Sequence, residues 1–355
     1  MKKLVAFFFL LILTLFAFAQ TSKVLFIGNS YTYVNNLPEL ISLMMSSAGE
    51  NMDYQMSAPG GCTFQQHCTV SSSYIQQGSW DYVVLQEQSQ LPSFPESQFM
   101  LESYPYAASL CSMIRDYSPD AKIVFYMTWG RKNGDQQNCP YYPPVCTYQG
   151  MDSLLNLRYM MMAEDNNAWM SPVGAVWHYI RDFYPDFELY QADESHPSYL
   201  GSYAAACCFY TMFTGRNPNS IVWNGTLDET TASILKNAAK TVVFDSLSKW
   251  TFQPDTVFND STAVNYFTLS DIGISLYPNP AKNMIHISMP VTKSVSAIRI
   301  ADMEGNVVYY KSGVSSWCES DNTFDIDVSS LRNGNYVLSV NSGFFKSTKV
   351  FTIVR

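Results

Sequence analysis

The sequence predicts an α/β fold, a parallel sheet covered on both faces, followed by a small all-β sandwich. Three observations carry this. Short apolar runs rich in β-branched and aromatic residues, at 23–27, 82–86 and 122–128, alternate with longer helical stretches. These runs are apolar throughout, as expected of parallel strands buried on both faces. After Trp250 the pattern changes to short segments that alternate apolar with polar residues and are separated by turn signals.

The elements follow in order. The first run, K-V-L-F-I, stops at Gly28 and feeds a turn. Asn36-Leu37-Pro38-Glu39 starts a helix, with Asn as cap and Pro in the first turn, and Gly49 stops it. The second run, Y-V-V-L-Q, follows Trp80-Asp81, and a helical stretch then spans 97–117, ending before Pro119. The third run, K-I-V-F-Y-M-T, precedes helical patterns at 151–164, 202–214 and 227–250. Residues 253–271 are polar and weakly patterned and read as a linker. Beyond them, strands are expected at 284–288, 297–301, 307–311, 323–328, 336–340 and 348–353. Turns fall at Pro278-Asn279-Pro280, Glu304-Gly305-Asn306 and Asn333-Gly334-Asn335.

Of 355 residues, 47% are hydrophobic and 14% charged, the balance of a globular chain. The formal charge is -9 and no basic run exists, so nucleic acid is excluded as a partner. Met1-Lys2-Lys3, an apolar stretch over 4–18 and Ala17-Phe18-Ala19 predict a secretory signal peptide, residues 1–19. No later run suffices to cross a bilayer, so the mature chain is expected to lack a transmembrane segment and to be secreted or at the cell surface. The organisation expected is 1–19 signal peptide, 20–252 α/β domain, 253–271 linker and 272–355 β-sandwich.

Export makes disulfides possible, and Cys62 with Cys68 and Cys139 with Cys146 could each close a short loop. Cys111, Cys207 and Cys208 lie in apolar helical patterns and read as buried thiols. No His/Cys grouping has zinc spacing, so neither a metal nor another cofactor is expected.

Gly28-Asn29-Ser30 directly follows the first strand, at the carboxyl end where open α/β sheets bind ligands. A serine there can act as a nucleophile, its own N–H helping to hold an oxyanion. It needs a base, and the chain has four histidines: His67, His178, His196 and His286. In Asp193-Glu194-Ser195-His196-Pro197 an Asp three residues before a His can orient the imidazole on a tight turn. His178, beside Trp177, reads as a packed core histidine, and His286 as structural.

Together these motifs resemble the SGNH, or GDSL-type, hydrolase superfamily, with Asn29 where the family usually has Asp. The resemblance covers about residues 22–250 and implies a flavodoxin-like three-layer α/β/α sheet. It implies Ser30, His196 and Asp193 as a catalytic triad for ester hydrolysis. In Ala58-Pro59-Gly60-Gly61-Cys62-Thr63, Gly61 matches the family's oxyanion glycine, ahead of Gly60. In Leu85-Gln86-Glu87-Gln88-Ser89, Gln88 falls at the family's oxyanion Asn, with Gln86 as the alternative. His67 and Trp129 are candidate substrate contacts, Trp129 as a sugar-stacking ring beside Arg131. Family breadth, export and an aromatic content of 15% suggest acylated carbohydrate as substrate. Lipase or thioesterase activity on longer acyl chains, or a non-catalytic carbohydrate-binding role, are the alternatives.

The segment 272–355 carries Leu276-Tyr277-Pro278-Asn279-Pro280-Ala281, Asp302-x-x-Gly305 and Leu331-Arg332-Asn333-Gly334-Asn335-Tyr336-Val337. It resembles the sorting domain of Bacteroidota type IX secretion cargo, which implies the secretion machinery as a partner.

Overall fold

Thr21–Ile27 (β1) is buried at every residue from Val24 onward, so it needs neighbours on both edges and cover on both faces. Asn51–Ser57 (β2) and Tyr82–Leu85 (β3) flank it in parallel, with Val24 opposite both Tyr54 and Tyr82. Lys122–Tyr126 (β4) and Trp169–Ser171 (β5) complete a five-stranded parallel sheet in the order β2-β1-β3-β4-β5. That flavodoxin-like order changes direction between β1 and β3, and such switch points open a crevice at the strands' carboxyl ends. Gly28 and Gln86, the residues after those two strands, therefore face the place where a site belongs.

The structure is a computed structural model and describes residues 21–252, 275–288, 297–302, 307–312, 323–342 and 345–355. The expected signal peptide at 1–19, the linker at 253–271 and the turn at 304–306 lie outside the described residues.

The helices are α1 (Ser30–Tyr33), α2 (Leu37–Ser47), α3 (Phe64–Val70), α4 (Ser72–Ile75), α5 (Glu96–Glu102) and α6 (Tyr104–Tyr117). They continue with α7 (Tyr148–Asp165), α8 (Val173–Phe183), α9 (Tyr199–Thr214), α10 (Glu229–Val242) and α11 (Leu247–Trp250). The helix expected over 97–117 is broken at Ser103. Pro105 lacks an N–H and clashes with the turn before it, so α6 must start anew. The helix expected over 227–250 also divides, after Thr241-Val242-Val243, whose β-branched side chains crowd the preceding turn. β2 and β5 are strands the pattern did not announce: β2 is a polar edge strand and β5 has three residues.

The chain forms two compact units. One gathers the chain up to Gln86 with Leu110–Ile123 and Val176–Leu247; the other gathers Glu87–Ser109, Val124–Ala175 and Ser248–Arg355. In the first, Phe26 meets Phe209 and Phe213 of α9 edge-on at 6.1 and 6.4 Å. The second holds the disulfide Cys139–Cys146. The other suggested loop closure is replaced by a thiol contact, the Cys62 S–H reaching the Thr63 carbonyl oxygen at 3.8 Å.

Among the described residues, seven strands follow: β6 (Ser275–Tyr277), β7 (Met284–Ser288), β8 (Ala297–Asp302), β9 (Val307–Ser312), β10 (Thr323–Asp327), β11 (Gly334–Ser342) and β12 (Phe345–Ile353). They make two antiparallel sheets, β10-β7-β6 and β12-β11-β8-β9. Both sheets supply one core, Ile285, Ile287 and Phe324 from the first and Ile300, Leu338 and Phe351 from the second.

Candidate active site

Ser30 opens α1, immediately after Asn29 caps it. The Asn29 side-chain oxygen accepts the Tyr31 N–H at 3.3 Å, as a cap should, and Asn29 is 2% exposed. Its amide nitrogen donates to the Cys62 carbonyl oxygen at 3.1 Å, tying the serine turn to the glycine turn. An Asp in its place has no donor for that carbonyl. Gly28 has no alternative here: a Cβ would lie 2.3 Å from Thr32 Oγ1 and 2.7 Å from Gln86 Oε1.

Asp193 and His196 share one turn of the segment between α8 and α9. A single carboxylate shapes it. Asp193 Oδ1 accepts the N–H of Ser195 at 3.1 Å and of His196 at 3.0 Å. Glu194 adopts φ 60 so that the chain can make this bend. Asp193 Oδ2 accepts a hydrogen bond from the His196 Nδ1–H. That bond leaves Nε2 as the acceptor nitrogen, and it lies 2.8 Å from Ser30 Oγ. Burial pushes the Asp193 carboxyl up, but the bonds from the His196 side chain and the Ser195 and His196 N–H groups outweigh it. The group is held below its ordinary value.

Gly61 sits in a turn closed by the Cys62 N–H on the Pro59 carbonyl oxygen at 3.1 Å. Its φ is +69, the value a type II turn needs at the third position. A Cβ there would meet nothing within 4 Å, so backbone conformation, not space, calls for glycine. Among the described residues no carbonyl takes the Gly61 N–H.

The remaining candidates stand elsewhere. Gln86 is fully buried and paired with Asn29: it donates to Asn29 Oδ1 at 3.0 Å and accepts the Asn29 N–H at 2.9 Å. It also accepts Thr32 Oγ1 at 2.9 Å, so it braces the serine turn instead of facing an oxyanion. Gln88 commits its amide oxygen to the N–H groups of Gln90 and Leu91, at 2.8 and 3.0 Å. Its amide nitrogen donates to Gln90 Oε1 at 3.3 Å.

His67 is also fully buried. Nε2 donates to the Gly28 carbonyl oxygen at 2.8 Å, and Nδ1 is bonded to Ser71 Oγ at 2.7 Å. Burial, opposed only by the Gly28 bond, pushes its pKa down to about 4. This neutral ring is an internal strut with no exposed surface. Trp129 is buried on all sides, 6.3 Å from the Tyr126 ring, and offers no face to a sugar. His178 is no core residue either. Val176, Trp177 and Ile180 take the buried face of α8, and His178 points outward, 3.3 Å from Asp182.

Tyr31, Asn35 and Ser195 were not singled out in the sequence. The Tyr31 and Ser195 hydroxyls are bonded at 2.6 Å, and Asn35 Nδ2 donates to the Pro197 carbonyl oxygen at 3.1 Å. A weak signal existed for Asn35 alone: two Asn before Leu-Pro favour left-handed backbone, and Asn35 has φ 56.

Comparison with known proteins adds to this geometry. Residues 275–354 match the family described as "Secretion system C-terminal sorting domain". The chain carries a secretion sorting domain. The sorting domain directs export by type IX secretion, to the cell surface or beyond it. No described helix is long and apolar enough to cross a membrane. No curated protein matches the chain. Upstream of the sorting domain, the α/β region shares the fold of a DUF4886 family protein from Bacteroides uniformis. That crystal structure has a TM-score of 0.55 and 18% identity, covering 62% of this chain and 94% of that one. A candidate SGNH hydrolase from Slackia heliotrinireducens gives 0.45 and 24% identity over 54% of this chain and 98% of that one. A catalytic mutant of an acetylxylan esterase from Geobacillus stearothermophilus gives 0.40 and 17%, over 53% and 92%.

Proposed function

We propose that the chain is an exported serine esterase of the SGNH type, acting on O-acyl groups, in the simplest case acetyl, carried by carbohydrate. One observation carries the reading: Ser30 Oγ is 2.8 Å from His196 Nε2, while Asp193 holds Nδ1 of the same ring. Nucleophile, base and orienting acid in that order are what acyl transfer requires.

Ser30 Oγ attacks the ester carbonyl as His196 Nε2 takes its proton. The imidazolium that forms is stabilised by Asp193 and then protonates the leaving alcohol. Water, activated by the same nitrogen, hydrolyses the acyl-enzyme. The oxyanion is held by the N–H groups of Ser30 and Gly61, on turns that the Asn29 amide ties together. With Gln86 on Asn29 and Gln88 on Gln90, no glutamine is assigned as a third donor. Export and an aromatic content of 15% support an extracellular glycan as the acyl carrier.

The test is hydrolysis of p-nitrophenyl acetate and butyrate by the mature protein beside Ser30→Ala. Turnover abolished by the substitution, with acetate preferred, is the expected result. A preference for longer chains moves the substrate to lipids or thioesters. Neither turnover nor labelling by a serine-directed phosphonate would leave a carbohydrate-binding protein and sink the esterase.

A further inference from the structure

Ser30 and His196 are 166 residues apart in sequence yet within hydrogen-bond reach. Something must hold the two turns in register, and the Ser30–His196 bond itself is too small to do so. Asp193 cannot, because every bond it makes as an acceptor lies within its own turn.

The links run from the serine side. Tyr31, the residue after the nucleophile, is 2% exposed, and its hydroxyl is 2.6 Å from Ser195 Oγ. Its ring meets the His196 imidazole edge-on, centroids 5.5 Å apart at 76°. Asn35, just past α1, grips the other flank. Its Nδ2 donates to the Pro197 carbonyl oxygen at 3.1 Å and to Ser202 Oγ at 2.9 Å. Ser195 and Pro197 bracket His196, so the base is held on both sides by residues riding on the nucleophile's own helix and turn.

Resting on the esterase reading, we infer that Tyr31 and Ser195 are positioning residues that set the distance between Ser30 and His196, with Asn35 as the second anchor. Neither hydroxyl touches the reacting atoms. The pair acts by keeping the base within reach of the serine proton, where displacement by an ångström slows the chemical step without changing substrate affinity.

The test compares Tyr31→Phe, Ser195→Ala and the double variant on p-nitrophenyl acetate, with hydrogen exchange over residues 191–198. Each single variant should lose about 10- to 100-fold in kcat, with KM within about twofold. The double variant should be no slower than the worse single one, since both remove one link. Exchange of the Ser195 and His196 amides should quicken in all three while thermal stability changes little. Unchanged kcat in Tyr31→Phe overturns the proposal, as does a rise in KM alone or multiplied losses in the double variant. If the wild type hydrolyses no ester, the esterase reading fails by itself. Exchange then decides alone: quickened amides keep the link between the two turns, and unchanged amides remove it.

Discussion

Asn29 and Gln86 bond each other twice, backbone N–H to Gln86 Oε1 at 2.9 Å and Gln86 Nε2 to Asn29 Oδ1 at 3.0 Å. The pair locks the turn that presents Ser30 to the end of β3. Gln86→Leu keeps the volume and removes both bonds, leaving the buried Asn29 groups to find others. A loss of about 1–3 kcal/mol is expected in urea denaturation, with slower phosphonate labelling of Ser30. Full stability in that variant would show that the brace does not matter.

His67 gives a pH dependence of known sign. Its pKa is about 4 in the folded chain, against an ordinary 6.5. The unfolded chain therefore binds the extra proton first as pH falls. The stability tied to the neutral ring is complete above pH 6.5 and is lost on the way down to about pH 4. The groups facing it, Gly28 O and the Ser71 hydroxyl, are uncharged and add no competing titration. The stability advantage of wild type over His67→Gln should shrink by about 3 kcal/mol between pH 7.5 and pH 4. Parallel curves for the two proteins would contradict this.

Asp193→Asn keeps the size of the side chain and loses one acceptor. The amide oxygen can still close the turn to Ser195 and His196, but the nitrogen then faces His196 Nδ1 as a donor. The imidazole must rotate or change tautomer, and Nε2 no longer accepts the Ser30 proton. A loss in kcat of about 10²–10⁴-fold is expected, with the fold intact by circular dichroism. Retained turnover would remove Asp193 from the reaction.

Gly61→Ala tests the glycine turn. With φ +69 and open space around the Cβ, the only penalty is backbone strain, about 1–2 kcal/mol. If the Gly61 N–H holds the oxyanion, the variant that relaxes this φ should lose far more in kcat than in melting temperature. A proportionate, small loss in both would leave the turn structural.

Trp129→Phe separates packing from recognition. The ring is wholly enclosed, so the variant should lose stability by about 1–3 kcal/mol and leave KM for acetylated sugars unchanged. A raised KM with full stability would return Trp129 to the substrate.

The buried strands were legible because runs such as Y-V-V-L have no polar face to turn outward. β2 was not, since its polar residues alternate on an edge where solvent accepts them. Within the site, Ser30 was readable from its place after β1, and Asp193 with His196 from a spacing that one turn accommodates. Side-chain direction was harder. Gln86 and Gln88 both follow β3, and only the fold shows that one lies against Asn29 and the other closes its own turn. His67 and Trp129 stand at plausible distances along the chain but point into the interior. Tyr31 and Ser195 carry no local signal, because each is ordinary in its own segment and their bond spans 164 residues.

The separation between Ser30 and His196 also has a consequence in time. A growing polypeptide carries Ser30 as soon as β1 is complete, yet lacks its partner until residue 196 has been made and folded back beside α1. Every shorter translation intermediate has Ser30 without His196 beside it. On the esterase reading, the Ser30–His196 pair assembles in one step, when the segment before α9 closes on the first helix, with residues 197–355 still to be made.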